Sequence, residues 1–264
     1  MKKYLVIGNP IEHSLSPKLH NYWFKKNNIN ANYSKRKIEK SEIQEIISEI
    51  KSNKLDGINV TVPFKSDVIP FLDKLSEESK ITQSVNTICV HDKKIVGHNT
   101  DIKGFELSLR ETQFDLKNKK IFILGAGGVV PSIIYALQKL GVSKITLSNR
   151  TKQKAEHLKK SFSNINVVDW GDQPEFDIII NATSLGLSKE DNIGLNFNYI
   201  NNEKLFYDVI YNPKETNFLK VGESLGGKVA NGQMMFIYQA FEAFKLWHKV
   251  KPEINEDLKF FLDS

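Results

Sequence analysis

The sequence contains little cysteine, little arginine and no long apolar run. Its single cysteine, Cys89, excludes a disulfide within the chain and a cysteine-based metal cluster. No apolar stretch approaches the roughly 18 residues of a membrane-spanning helix, and the apolar run after Met1-Lys2-Lys3 is too short for a signal peptide. These absences predict a cytoplasmic protein without a membrane partner.

The excess of positive charge comes almost entirely from lysine. The net charge is +6, yet the only arginines are Arg36, Arg110 and Arg150, and the lysines are spread along the chain without a basic tract. Proteins that bind bases and phosphates of nucleic acids rely heavily on arginine. We therefore expect no nucleic-acid partner and only a modest attraction for anionic small molecules.

Strand and helix patterns alternate through the first part of the chain. Residues 3–8 and 32–38 have strand patterns, a helix is predicted from Ser41, residues 66–84 are predicted to be helical, and residues 85–97 form a predicted hairpin. This alternation is typical of a mostly parallel sheet with crossover helices, so the predicted fold class is α/β. At 264 residues and 40% apolar composition, the chain has room for one large domain or two modest ones.

Residues 59–65 place an amide, a hydroxyl and an amine close together at the end of a third predicted strand. Asn59 and Thr61 alternate with apolar residues, so they should share one face of the strand. Pro63 should end the strand because it offers no ladder N–H, and Lys65 follows directly. Most lysines are surface charges, so a catalytic interpretation of Lys65 depends on the rest of the chain.

Other polar residues follow predicted strand ends. Ser16 and Pro17 fit the N-cap and first position of a helix, whereas Ser14 has no capping role and is a candidate for binding a polyol. Thr100 and Asp101 precede another predicted helix. Asp101 is therefore either a helix-cap residue or a site carboxylate just beyond a sheet edge.

A glycine-rich turn, residues 125–128, joins a predicted buried strand over 120–124 to a helix. Such a turn directs free backbone N–H groups and the helix dipole at a phosphate, so it predicts dinucleotide binding, the alternative being a tight turn without a ligand. The next predicted strand, 144–148, ends about 20 residues later, where NAD-binding proteins place an acidic residue. Residues 149–152 contain Arg150 and no carboxylate, which favours NADP, because a guanidinium pairs with a 2′-phosphate.

Several short segments occur in an order that is specific as a set. They are Ser14-Leu15-Ser16-Pro17, Asn59 to Lys65, Asn86-Thr87, Asn99-Thr100-Asp101, Gly125 to Gly128, Asn149-Arg150-Thr151, Asn181-Ala182-Thr183-Ser184 and Gln239. Taken together they resemble the shikimate dehydrogenase family, which reduces 3-dehydroshikimate to shikimate with NADPH. The resemblance runs the whole length of the chain.

The resemblance implies a role for each matching residue. Lys65 would be the acid/base group at the substrate oxygen, hydrogen-bonded to Asp101, while Ser14 and Ser16 would bind the substrate carboxylate. The rest of the substrate pocket would be Asn59, Thr61, Asn86, Tyr211 and Gln239. The residues assigned to NADP(H) are Gly125, Ala126, Gly127, Gly128, Val129, Asn149, Arg150, Thr151, Lys152, Thr183, Ser184, Val209 and Gly232. One ammonium group can supply the proton, so no metal is expected.

The resemblance also implies two domains, a substrate domain of residues 1–100 plus 234–264 and a Rossmann-like NADP domain of residues 101–233. The chain departs from the family pattern at residues 82–84, at residues 129–131 and at Val209. These departures should alter affinity more than reaction type. Pro131 is expected in the first turn of its helix, where its missing N–H matters little.

Three alternatives compete with this interpretation. A quinate/shikimate dehydrogenase using NAD is the nearest, and Arg150 argues against NAD. A non-catalytic NADP-binding sensor would not need both Lys65 and Asp101. Zinc-dependent alcohol dehydrogenase chemistry lacks its usual cysteine-containing ligands, because Cys89 is the only cysteine. The sequence leaves open whether the protein is a monomer or a homodimer.

Overall fold

The computed structural model describes residues 1–195, 197 and 200–263. The chain divides into two compact units: a first unit of Met1–Lys103 with Ile237–Ser264, and a second unit of Gly104–Phe236. The domain boundaries predicted from the sequence lie three residues before these. None of the helices in the described ranges is both long and apolar enough to span a membrane.

The two units contain two six-stranded sheets and the helices that flank them. The strands are β1 (Lys2–Gly8), β2 (Ala31–Lys37), β3 (Gly57–Val60), β4 (Lys74–Leu75), β5 (Thr87–His91), β6 (Lys94–His98), β7 (Lys120–Leu124), β8 (Lys144–Ser148), β9 (Ile165–Val168), β10 (Ile178–Asn181), β11 (Leu205–Asp208) and β12 (Lys228–Ala230). The α-helices are α1 (Ser16–Lys26), α2 (Ile43–Lys51), α3 (Glu77–Thr82), α4 (Asp101–Glu111), α5 (Val130–Lys139), α6 (Lys152–Ser161), α7 (Asn217–Ser224), α8 (Gln233–His248) and α9 (Glu256–Asp263). The prediction of an α/β fold is confirmed.

The sheet of the first unit has the strand order β2-β1-β3-β5-β6-β4 and is mixed. β1 pairs in parallel with β2 and β3, whereas β5 is antiparallel to both β3 and β6. Helix α2 covers this sheet with four isoleucines at helical spacing, all at most 2% exposed: Ile43, Ile46, Ile47 and Ile50. Burying an aliphatic side chain of this size contributes about 1.5–3 kcal/mol, so this face fixes α2 on the sheet.

The structure corrects the predicted helix over residues 66–84. That segment contains a short 3₁₀ turn (Ile69–Phe71), the strand β4 and the one-and-a-half-turn helix α3. Pro70 lies in the 3₁₀ turn and cannot donate a helical hydrogen bond, and Ser76 caps α3 by accepting from the Ser79 N–H at 3.2 Å. Gln83 then adopts a left-handed conformation with φ +47°, which glycine adopts more readily than other residues.

The predicted third strand is also shorter than expected. β3 ends at Val60, so Val62 lies in a turn and is 53% exposed. Asn59 is still in the strand, whereas Thr61 lies just beyond it.

The second unit contains six parallel strands in the order β12-β11-β10-β7-β8-β9. Counted from β7, this is the 3-2-1-4-5-6 order of a dinucleotide-binding fold, whose order reverses between β7 and β10. Leu124 at the end of β7 is in register with Ser148 and Asn181. The glycine turn, Asn149 and Ala182 therefore follow neighbouring strand ends. Helix α7 and strand β12 were not predicted.

Candidate active site

A buried ion pair joins the two residues to which the resemblance gives catalytic roles. The Lys65 Nζ and the Asp101 Oδ2 are 2.5 Å apart, and the two residues are 8% and 5% exposed. Lys65 follows the turn after β3, where its carbonyl accepts from the Val85 N–H at 2.8 Å, and Asp101 is the first residue of α4. Since a buried charge is costly without its partner, these two side chains hold each other in place.

Asn86 connects this pair to the rest of the first unit. Its Nδ2 donates to the Asp101 Oδ1 at 2.9 Å and approaches the Gln239 Oε1 at 3.4 Å. Its Oδ1 accepts from the Thr100 N–H at 2.7 Å and from the Thr87 hydroxyl at 3.1 Å. Both oxygens of Asp101 are therefore engaged, one by an ammonium and one by an amide.

Asn59 is held almost entirely by protein groups. Its Nδ2 donates to the Asn86 carbonyl at 3.0 Å and to the Thr87 hydroxyl at 2.9 Å. Its Oδ1 accepts from the Tyr33 hydroxyl at 2.6 Å, and the residue is only 6% exposed. Thr61 is partly exposed, and its methyl carbon lies 2.5 Å from the place that a Cβ on Gly8 would occupy. Gly8 thus leaves the space that Thr61 fills.

The structure places Ser14 and Ser16 at the start of α1. Ser16 is the first residue of α1, and no side chain caps that end. The Ser14 Oγ accepts from the Ser16 N–H at 3.3 Å. The predicted cap role of Ser16 is therefore wrong, because the helix begins at Ser16 itself and Leu15 occupies the cap position.

In the second unit, the glycine turn has the geometry of a phosphate cradle. Gly125 has φ +113°, and a Cβ there would lie 2.6 Å from the Ala182 carbonyl oxygen, so only glycine fits. A Cβ on Gly127 would meet nothing within 4 Å, and the start of α5 has Pro131 in its first turn and no side-chain cap. The open space over Gly127, at the N-terminus of α5, suits a phosphate.

The basic residues after β8 differ in their availability. Arg150 is exposed and forms no ion pair within the described ranges, whereas the Lys152 Nζ lies 2.8 Å from the Asp169 Oδ1. The Asn149 Nδ2 donates to the Thr151 carbonyl at 2.8 Å, which fixes the turn that leads into α6. Arg150 is therefore available for an anionic ligand, and Lys152 already has a partner.

A buried carboxylate, Asp208, ties together the loops after β10 and β11. Asp208 is 0% exposed, accepts from the Asn181 Nδ2 at 3.1 Å on each oxygen, and accepts from the Thr216 hydroxyl at 2.7 Å. Burial raises its pKa to about 6. The Asn181 Oδ1 in turn accepts from the Thr183 hydroxyl at 2.7 Å. Thr183, assigned to NADP(H) by the resemblance, is held by this network, while Ser184 beside it is exposed.

The remaining predicted residues of the second unit lie near the start of α8. A Cβ on Gly232 would lie 2.1 Å from the Val209 carbonyl oxygen, so the chain passes Val209 at a distance only glycine permits. Tyr211 stacks on Phe236 with ring centroids 4.5 Å apart. The described residues contain no group of three or more His, Cys, Asp or Glu side chains that could hold a metal ion.

Sequence reasoning gave no role to three residues of these networks: Tyr33, Thr87 and Asp208. Thr87 belongs to the Asn86-Thr87 segment, so its position was a usable signal. Tyr33 had no such signal, because an aromatic residue in a strand is most simply a core residue.

The first unit thus holds a buried ammonium–carboxylate pair among amides and hydroxyls, and the second holds a dinucleotide cradle. A family described as the shikimate dehydrogenase substrate binding domain matches residues 6–88, and one described as shikimate/quinate 5-dehydrogenase matches residues 106–192. The chain belongs to the shikimate dehydrogenase family. The resemblance stated from the sequence is confirmed.

Individual members of the shikimate dehydrogenase family align over the whole chain. A relative from Pelagibacter ubique named shikimate dehydrogenase (NADP(+)) is 58% identical over 262 residues, 99% of each chain. The crystal structure of shikimate dehydrogenase from Aquifex aeolicus is 38% identical with a TM-score of 0.89, covering 100% of this chain and 97% of that one. The Thermus thermophilus enzyme, solved with NADP(H) and shikimate, is 28% identical with a TM-score of 0.88, covering 100% and 98%.

Proposed function

We propose that this chain catalyses the reversible reduction of 3-dehydroshikimate to shikimate with NADPH, on the route to chorismate and the aromatic amino acids. The observation that carries the proposal is the buried pair of Lys65 and Asp101, 2.5 Å apart, in a chain 58% identical to an NADP-dependent shikimate dehydrogenase. A protein of this family acts in biosynthesis, so we place the activity in the cytoplasm.

Reduction of a ketone needs a hydride at the carbonyl carbon and a proton at its oxygen. NADPH supplies the hydride when it is bound. Lys65 donates the proton from its Nζ to the nascent alkoxide, and in the reverse direction it accepts the proton of the hydroxyl. Asp101 holds the Lys65 ammonium through its Oδ2 while Asn86 orients the other carboxylate oxygen.

The second unit has a suitable place for each of the two anionic groups of NADP(H), the pyrophosphate and the 2′-phosphate. The uncapped turn at Gly127, where a Cβ would meet nothing within 4 Å, can receive the pyrophosphate, with Ala126, Gly128 and Val129 beside it. The exposed Arg150 can pair with the 2′-phosphate, since no described residue neutralises it. Lys152 is tied to Asp169, which makes it a secondary contributor.

The substrate would bind through the polar residues of the first unit. Ser14 and Ser16 would donate to the carboxylate, and Thr61, Asn86 and Gln239 would contact the ring hydroxyls. The resemblance also assigns Tyr211 to substrate binding. On this proposal residues 1–100 with 234–264 form the substrate domain, and residues 101–233 form the NADP domain.

The test is an absorbance assay at the nicotinamide band with shikimate or quinate and with NADP⁺ or NAD⁺. We expect kcat/KM to be highest for shikimate with NADP⁺. Equal values for quinate would support a quinate/shikimate dehydrogenase instead. Binding of NADPH without any turnover of either acid would support a non-catalytic sensor.

A further inference from the structure

We propose that Tyr33, a buried tyrosine outside the segments that carry the resemblance, is a positioning residue that orients Asn59 for substrate binding. The inference rests on the proposed function, because it concerns the affinity for the substrate of that reaction. Its basis is the 2.6 Å hydrogen bond from the Tyr33 hydroxyl to the Asn59 side chain.

Tyr33 is fixed in place by both its backbone and its ring. It lies in β2, the edge strand of the first sheet, and its outer backbone groups are satisfied by Asn21 of α1. The Asn21 Nδ2 donates to the Tyr33 carbonyl at 2.8 Å, and the Tyr33 N–H donates to the Asn21 Oδ1 at 2.9 Å. The ring stacks on His20 with centroids 4.4 Å apart and planes 2° from parallel. The phenol oxygen therefore occupies one defined position.

The direction of the hydrogen bond at this oxygen follows from its neighbours. The Nδ2 of Asn59 donates to the Asn86 carbonyl, so the Oδ1 of Asn59 must face Tyr33. Tyr33 then donates to that Oδ1 at 2.6 Å. Burial raises the pKa of the Tyr33 phenol well above its ordinary value, which keeps this donor protonated.

These bonds limit what Asn59 can offer a substrate. Both N–H donors of Asn59 are used by the Asn86 carbonyl and the Thr87 hydroxyl, so only one lone pair on its Oδ1 is left to accept from a ligand hydroxyl. Tyr33 thus fixes the orientation of Asn59 without touching the substrate itself.

The decisive variant is Tyr33→Phe, which keeps the ring and its stacking on His20 and removes only the hydroxyl. Tyr207→Phe is the matched control: Tyr207 is 0% exposed and its hydroxyl makes a 2.7 Å hydrogen bond to Ser108 in the second unit. We expect Tyr33→Phe to raise KM for shikimate about tenfold, the effect of one lost buried hydrogen bond. Its kcat and its KM for NADP⁺ should stay within about threefold of wild type.

The two variants also separate positioning from general stability. Both should lower the melting temperature, and only Tyr33→Phe should change KM for shikimate. Equal KM values for shikimate in the two variants would overturn the inference. So would a Tyr33→Phe variant with a lower kcat and equally raised KM values for shikimate and NADP⁺. A wild-type protein that does not oxidise shikimate with NADP⁺ would overturn the proposed function, and the role of Tyr33 with it.

A double-mutant cycle guards against a Tyr33→Phe protein that folds poorly. If Tyr33 acts through Asn59, the change in KM caused by Tyr33→Phe should shrink to less than about threefold in an Asn59→Ala background. An effect of full size in that background, measured as shikimate binding to the folded protein, would contradict a route through Asn59.

Discussion

The two polar sites of this chain are built in opposite ways. In the first unit, Lys65, Asp101, Asn86 and Asn59 are buried and joined by hydrogen bonds, the one from Asn59 being made to the Asn86 carbonyl. In the second unit, the turn at Gly127 is open. The first site is preorganised by side chains, which suits a step that needs a proton at a fixed point. The second is an open glycine turn at a helix N-terminus, which suits an anion.

This contrast predicts different sensitivities to substitution. Side-chain changes in the first unit should break a coupled network and affect catalysis. In the second unit, changes in steric bulk or in one exposed charge should affect cofactor affinity.

Removing the Lys65 ammonium should have the largest effect. We expect Lys65→Met to lower kcat by about 10²-fold or more, the scale of lost acid/base catalysis. The same change leaves the Asp101 carboxylate buried without its partner, so the free energy of unfolding should fall by about 3–5 kcal/mol. Adding Asp101→Asn should recover most of that stability without recovering turnover, as steady-state kinetics and urea unfolding would show. Recovery of both would mean that Lys65 has only a structural role.

Removing the Arg150 guanidinium should weaken binding of NADPH and leave NADH binding nearly unchanged. A charge-assisted hydrogen bond contributes about 1.5–3 kcal/mol, so we expect Arg150→Ala to raise the Kd of NADPH about 10- to 100-fold. Arg110→Ala is the control, since Arg110 is an exposed arginine already paired with Glu106 at 3.0 Å. Fluorescence titration gives both constants. Equal losses for the two cofactors would remove the argument for a 2′-phosphate contact.

Two glycines of one turn should respond differently to the same change. Gly125→Ala should destabilise the second unit by about 1–3 kcal/mol, because φ is +113° and the Cβ would meet the Ala182 carbonyl. Gly127→Ala should leave the melting temperature within a few degrees and raise the Kd of NADPH about tenfold, since its methyl group would fill the cradle. A normal Kd for Gly127→Ala would show that the phosphate lies elsewhere.

The two units should also differ in how acid affects them. Burial lowers the pKa of His20 to about 3, so its contribution to stability is complete above pH 6.5 and is lost as the pH falls from there toward 3. By pH 5 the loss is about 2 kcal/mol. Asp208 has the opposite effect on the free energy of unfolding. Its pKa is raised from 3.8 to about 6, so the folded protein takes up a proton between those values. At pH 5 this protonation adds about 1 kcal/mol to the free energy of unfolding.

Urea unfolding of His20→Phe and Asp208→Asn at pH 7 and pH 5 checks this difference. Relative to wild type, the drop in unfolding free energy on acidification should shrink in His20→Phe and grow in Asp208→Asn. The same drop in all three proteins would contradict the assignment of these two groups.

A structural feature could be predicted from the sequence when residues close together in the chain determine it. The glycine turn and the strand that precedes Arg150 are local patterns, and they were predicted correctly. The helix over 66–84 was wrong because Pro70 and the cap at Ser76 divide it. The cap role of Ser16 failed because the helix starts at Ser16 itself, with Leu15 at the cap position.

The polar networks could not be derived from local patterns at all. Lys65 and Asp101 are 36 residues apart, and only the family resemblance suggested that they meet. Asp208 was overlooked because a carboxylate without a basic neighbour in the sequence gives no sign that amides and hydroxyls from other segments will surround it.

The most direct test of the account is a stopped-flow measurement at the nicotinamide band after shikimate is mixed with protein saturated with NADP⁺. The wild-type protein should form NADPH in the first turnover, whereas the Lys65→Met, Asp101→Asn double variant should be slower by about 10²-fold or more with shikimate bound. Absence of NADPH from the wild-type reaction, or the same rate in both proteins, would contradict the proposed chemistry of Lys65.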